Sequence, residues 1–146
     1  MTGLIREIPA ATPSEALVHF SRRLAFETDC SDVHYSQQQN HVDYVLVDVR
    51  GQEAFRAGHV PGAINISTRE MTAERMGEFA HDTLFVVYCA GPHCNGVHRA
   101  ATRLASLGYA VKEMIGGVTG WLDEGLPLTG DETASRPATP AISCAC

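Results

Sequence analysis

At 146 residues the chain has the size of one domain, long enough to bury a real core. Its formal charge of −6 argues against a nucleic-acid partner held by counterion release, yet leaves a small anionic substrate open, because the local field governs that. No apolar run approaches a membrane span and the N-terminus lacks a signal-peptide layout, so the default expectation is a cytoplasmic protein with no membrane partner. Five cysteines make an odd count without the spacing of a secreted disulfide framework, so thiol chemistry or metal explains them better than staples.

Residues 1–12 read as an extended lead-in. Pro13 then opens a helix that Thr12 can cap, with Ala16, Leu17, Phe20, Leu24 and Ala25 on one packing face. A short extended piece is expected at residues 26–28, and a second short helix, capped by Ser31 or Asp32, through Gln38. Cys30 in this region reads as structural. The run Tyr44-Val45-Leu46-Val47-Asp48-Val49 is a buried strand rich in β-branched residues. A short helix over residues 51–57 follows, then the Pro61-Gly62 turn and a brief strand at 63–66. Ser67 or Thr68 caps a helix expected over residues 70–79, burying Met71, Met76 and Phe79.

The next stretch organises the rest. Phe85-Val86-Val87-Tyr88 is a buried strand, Cys89 stands at its end, and the loop Ala90-Gly91-Pro92-His93-Cys94-Asn95 leads into a helix over residues 96–107. The first N–H groups of a helix are unpaired and carry partial positive charge, and a loop around the same point can aim further N–H groups inward. Gly91 and Gly96 permit close backbone approach. Such a cradle favours an anionic, nucleophilic thiolate at Cys89 and would also hold an incoming oxyanion. A buried structural cysteine is the competing reading. Residues 110–115 form a further strand, Gly116-Gly117 a tight turn, and residues 118–124 a last helix carrying Trp121 and ended by Gly125. Strands alternating with helices give an α/β fold with a mostly parallel sheet covered on both faces, whose sites sit at the carboxyl ends of strands. From Thr129 the composition turns to Thr, Ser, Ala and Pro, and a flexible tail ending in Cys144-Ala145-Cys146 is expected.

Four segments resemble a single-domain rhodanese, of the sulfurtransferase-like family. They are Val45-Leu46-Val47-Asp48-Val49-Arg50 with Glu53 and Phe55; Gly58-His59-Val60-Pro61-Gly62-Ala63-Ile64-Asn65; Val86-Val87-Tyr88-Cys89 before a loop and helix; and Gly116-Gly117 with Trp121 and Gly125-Leu126-Pro127. The resemblance divides the chain into an N-terminal helical extension packing on the domain (1–42), a rhodanese-like core (43–128) and a Cys-ending tail (129–146). It implies a three-layer fold with a central sheet of about five strands and helices on both faces. It also implies that Cys89 is the nucleophile of a sulfurtransferase, taking sulfane sulfur from thiosulfate or a persulfide or polysulfide donor and passing it to a thiol, cyanide or a protein acceptor through a Cys89 persulfide. No metal or organic cofactor is required.

Two departures matter. The loop holds about two residues more than the common rhodanese loop, an insertion loops tolerate. A longer loop is also found in related cysteine-dependent phosphatases and arsenate reductases, but their late-loop arginine is absent, the neighbourhood here being Asn95-Gly96. Ala90 stands where a basic residue often follows the nucleophile. Substrate contacts are therefore expected from Ala90, Gly91, Pro92, His93, Asn95, Gly96 and Arg99, with His98 a weaker candidate. The second departure is Cys94. It can act as a resolving thiol against a Cys89 persulfide or sulfenate, as a second sulfur carrier, or as loop filling. Exchange of the two cysteines' roles is disfavoured by the spacing to the helix. Cys144 and Cys146 can serve as thiol acceptors, as a metal clip, or not at all. Asp48, Arg50 and His59 read as structural. Three classes remain open: the sulfurtransferase, a related phosphatase or arsenate reductase, and a sulfur-carrier or redox module without turnover.

Overall fold

The backbone is organised around a five-stranded sheet in the order β1-β5-β4-β2-β3, every neighbouring pair parallel. The structure is a computed structural model and describes residues 1–130. Its strands are β1 (Glu27–Asp29), β2 (Val45–Asp48), β3 (Ile64–Asn65), β4 (Leu84–Tyr88) and β5 (Ala110–Ile115). The helices are α1 (Pro13–Phe26), α2 (Cys30–Gln38), α3 (Gln52–Ala57), α4 (Ala73–Met76), α5 (Gly96–Ser106) and α6 (Gly117–Asp123). This is the expected α/β architecture. Among the described residues, no helix is long and apolar enough to cross a membrane.

Side-chain alternation along the strands divides the core in two. Val47, Phe85 and Val87 face Val97, Ala100 and Leu104 of α5, together with Met71 and Met76. Leu46, Val86 and Tyr88 face the opposite way, onto Cys30 and Val33 of α2 and onto Val118 and Trp121 of α6. Because both faces are covered, the central strands read in sequence as continuous apolar runs rather than as an alternating pattern. Register sets Asp48 beside Tyr88, so β2 and β4 end at one level of the sheet, and Cys89 is the next residue.

Three expectations are modified. Residues 70–79 do not form one helix. Ser67 and Glu70 close a capping box on a 3-10 turn at Thr68–Glu70, Met71 adopts ψ of 66°, and the Thr72 hydroxyl caps the four-residue α4 by accepting from Arg75 N at 3.1 Å. Two hydroxyl residues that bond the local backbone split the segment. Met71 and Met76 are nevertheless buried as expected, and Phe79 is half-buried. The second difference is at α1. Its cap at Thr12 is present, accepting from Glu15 N at 3.3 Å, but no residue of the helix is buried, and Leu17, Phe20 and Leu24 stay exposed. Cys30 and Val33 of α2 fill the core face instead, and Lys112 Nζ donates to Leu24 O at 3.0 Å to tether α1. Third, Asp29 rather than Ser31 or Asp32 caps α2, accepting from Asp32 N at 2.8 Å.

Cys30 is buried, its Sγ 3.6 Å from both Ile115 O and Gly117 O. Burial first, and the nearby Asp29 carboxylate second, push its thiol up to about 11 from an ordinary 9.0. A raised acid constant means that this thiol stabilises the fold fully below pH about 9 and ceases to do so as pH climbs toward about 11. Urea unfolding at both ends of that window should show the native protein losing more stability than Cys30→Ala. Equal losses would place the Cys30 thiol in water.

Candidate active site

Phe85 to Tyr88 are buried on both sides of the sheet, which carries the chain to Cys89 at the carboxyl end of a central parallel strand. The loop that follows is held chiefly by α6. Val118 N donates to Cys89 O at 3.1 Å, and Thr119 N donates to Ala90 O at 3.0 Å. Thr119 Oγ1 adds a second donation to Ala90 O at 3.2 Å. A Cβ on Gly91 would lie 2.6 Å from Thr119 Oγ1, so only glycine lets the loop run this close to α6. On the other side of Cys89, a Cβ on Gly117 would lie 2.4 Å from Cys89 O.

The loop then turns back on itself. Cys94 N donates to Gly91 O at 3.1 Å, with Pro92 and His93 at the exposed tip of this turn. The turn returns Cys94 to the strand end, where its Sγ stands 3.0 Å from Cys89 Sγ. That separation is longer than the ~2.0 Å of a disulfide bond. Both residues are buried, at 2% and 5% exposure, among Val47, Ile66 and Val97. Asn95 O accepts from His98 N at 3.0 Å and from Arg99 N at 3.2 Å, starting α5 directly behind the loop. Gly96 is buried at the first turn of that helix.

The structure therefore brings Cys89, Ala90, Gly91, Cys94 and the start of α5 together. His93 stands at the mouth, its Cε1 3.1 Å from where a Gly91 Cβ would be. Arg99 faces elsewhere: with Asn95, His98 and Arg103 it lines a surface cavity of about 540 Å³ whose lining includes neither cysteine. His98 Nε2 lies 3.2 Å from Glu113 Oε1 on the outer surface. Thr119 and Gly117 were not singled out as site residues in the sequence. Gly117 carried a signal, a glycine pair directly after a strand. Thr119 carried none, since its place depends on β5 lying next to β4.

At the ends of β2 and β4 lies a buried polar cluster. Arg50 Nη2 donates to Asp48 Oδ2 at 2.8 Å and to Gly58 O at 2.6 Å, while Arg50 N donates to Asp48 Oδ1 at 2.9 Å. Val60 N donates to the Tyr88 hydroxyl at 3.0 Å. Burial, with the adjacent Asp48 carboxylate, holds that hydroxyl well above its ordinary range, so it stays protonated. His59 stacks on Phe55 with ring centroids 3.7 Å apart and its Nδ1 lies 2.7 Å from Phe55 O. These are the structural roles expected of Asp48, Arg50 and His59. Among the described residues, no group of three or more His, Cys, Asp and Glu is arranged to hold a metal ion. Cys144 and Cys146 lie outside the described residues.

The model of the rhodanese-like domain matches residues 32–124. The chain is 40% identical over 86 residues to the HTH-type transcriptional regulator Rv0324 of Mycobacterium tuberculosis, a match covering 59% of this chain and 38% of the regulator. It is 32% identical over 95 residues to the adenylyltransferase and sulfurtransferase UBA4 of Candida albicans, covering 59% of this chain and 21% of that protein. The chain thus spans well under two thirds of the length of either relative. Among solved structures, the BH2092 protein from Bacillus halodurans is similar with a TM-score of 0.79 and 34% identity, covering 82% of this chain and 88% of that one.

Proposed function

This chain belongs to the rhodanese-like domain family, and on that premise we propose that it moves sulfane sulfur through Cys89. The observation that carries the reading is the position of Cys89, at the carboxyl end of β4 and the start of a tight loop that runs into the N-terminus of α5. The family relation to sulfurtransferases supports it, as does the relative in Candida albicans that carries that activity in its name.

The reaction has two displacements. The Cys89 thiolate attacks the outer sulfur of thiosulfate, the sulfur–sulfur bond breaks, and sulfite leaves with the bonding pair. A persulfide or polysulfide donor reacts the same way and loses a thiolate. An acceptor, either a small thiol, cyanide or a thiol on a partner protein, then attacks the outer sulfur of the Cys89 persulfide, and the Cys89 thiolate departs. Backbone N–H groups of the loop not spent within it, those of Ala90, Gly91, His93, Asn95 and Gly96, stabilise the persulfide anion and the leaving oxyanion. His93, at the mouth of the loop, can donate a hydrogen bond to the approaching anion. The chemistry needs reduced thiols, which the cytoplasm provides.

Intact mass after treating the reduced protein with thiosulfate tests this. Cys94→Ser should hold one added sulfur, the native protein should react and either keep that sulfur or release it as sulfide, and Cys89→Ser should do neither. Uptake by Cys89→Ser that is lost in Cys94→Ser would move the nucleophile to Cys94. Inertness of every form toward thiosulfate and persulfides, with phosphate ester cleavage or arsenate reduction instead, would replace the sulfurtransferase by an oxyanion enzyme.

A further inference from the structure

We infer that Cys94 resolves the Cys89 persulfide, closing a Cys89–Cys94 disulfide and expelling the carried sulfur as sulfide. The inference rests on the persulfide chemistry just proposed and adds a second outcome to it. The domain then acts as a thiol-dependent, sulfide-releasing reductase of sulfane sulfur as well as a transferase.

The geometry points to the inner sulfur. Cys94 Sγ stands 3.0 Å from Cys89 Sγ, so an approach of about 1 Å reaches bonding distance. Both cysteines are buried and belong to one apolar cluster with Val47, Ile66 and Val97. The approach is set by the backbone. The Gly91–Cys94 turn hydrogen bond at 3.1 Å returns Cys94 to the strand end, and the donations from Val118 and Thr119 hold the opposite side of the loop. A loop that only needed filling here could use any small apolar residue. In the reduced protein, a Cys94 sulfur placed this close to Cys89 Sγ has the position of a resolving cysteine.

The step balances. Cys94 thiolate attacks Sγ of the Cys89 persulfide, a sulfur–sulfur bond forms between the two cysteines, and the bond to the outer sulfur breaks. The outer sulfur leaves with the electron pair as hydrosulfide and takes up a proton from water to match the one Cys94 released. The two cysteines are oxidised by two electrons in all, and the sulfane sulfur is reduced. With thiosulfate as donor the sum is thiosulfate plus two protein thiols giving sulfite, hydrogen sulfide and one disulfide. A dithiol reductant of the thioredoxin type, or two equivalents of a small thiol, restores the enzyme by exchange.

The test is a single turnover of the reduced full-length protein with one equivalent of thiosulfate, read by intact mass, disulfide mapping and released sulfide. The native protein should end about 2 Da below its reduced mass with Cys89 joined to Cys94, releasing one sulfide. Cys94→Ser and Cys94→Ala should instead hold a gain of about 32 Da, with a persulfide lifetime lengthened about tenfold or more. A native protein that keeps the 32 Da gain and releases no sulfide, matching both variants, overturns the inference and leaves the Cys89 persulfide standing. Failure of both Cys94 variants to gain sulfur, when folded by circular dichroism, overturns the inference together with the assignment of the persulfide to Cys89.

Discussion

Arg50→Met is expected to remove about 3–5 kcal/mol of folding stability, measured by urea unfolding at neutral pH. The size follows from what would be left behind. Asp48 is wholly buried and Arg50 2% exposed, and the guanidinium supplies donors to both carboxylate oxygens. Methionine fills much of the volume but leaves a charged carboxylate without its counter-ion and takes a donor from Gly58 O. The loss extends beyond the pair. Asp48 ends β2 opposite Tyr88, Val49 N donates to Tyr88 O at 3.0 Å, and Asn65 Nδ2 donates to Arg50 O at 2.8 Å, so one cluster aligns the ends of β2, β3 and β4. Adding Asp48→Asn should recover part of the stability, because a neutral amide is less costly to bury alone than a carboxylate. None of Arg50's hydrogen bonds goes to the Cys89 loop, so sulfur uptake per folded molecule should persist. A loss below about 1 kcal/mol would mean that water or another donor reaches Asp48 once Arg50 is gone.

That cluster also shows what sequence patterning can convey. Val45-Leu46-Val47 and Phe85-Val86-Val87 announce buried parallel strands because both faces of the sheet are covered, and a run of branched and aromatic residues has few other uses. The Asp48–Arg50 pair is legible for a local reason, since two residues apart at a strand end they meet without help from the fold. Cys89 is legible because it ends such a strand ahead of a glycine-containing loop and a helix. The neighbourhood of Cys94 is not. Its contact with Cys89 depends on a turn whose far side is fixed by Val118 and Thr119, and that arrangement exists only once β5 and α6 are docked. The same limit explains the misread helix at residues 70–79. Apolar spacing there matched a helix, but Ser67 and Thr72 each start a separate turn, and Arg103 Nη1 reaches Met71 O at 3.4 Å where the segment breaks. At α1 the apolar positions are helical in period yet remain exposed, because periodicity reports a helix and not what it packs against.

Gly117→Ala should damage the protein at the junction where fold and site meet. Gly117 has φ of 56° and begins α6, and a Cβ there would sit 2.4 Å from Cys89 O and 3.0 Å from Gly91 N. Two penalties combine. The left-handed backbone costs a non-glycine residue roughly 1 kcal/mol. The overlap forces the first turn of α6 away from the loop, at a further 1–3 kcal/mol by the scale of overpacked cores. That displacement weakens the Val118 and Thr119 donations which hold Cys89 O and Ala90 O in place. Gly125→Ala isolates the first penalty, because Gly125 has φ of 76° and its Cβ would meet nothing within 4 Å. Urea midpoints should therefore rank native above Gly125→Ala above Gly117→Ala. Among folded molecules, sulfur uptake from thiosulfate should fall about tenfold or more in Gly117→Ala alone, since about 1.4 kcal/mol of lost transition-state positioning suffices for that factor. Equal stability of the two variants would show that α6 yields without strain. Unchanged uptake in Gly117→Ala would show that the Cys89 loop keeps its geometry without α6, and that its hydrogen bonds to Val118 and Thr119 serve the fold rather than the sulfur.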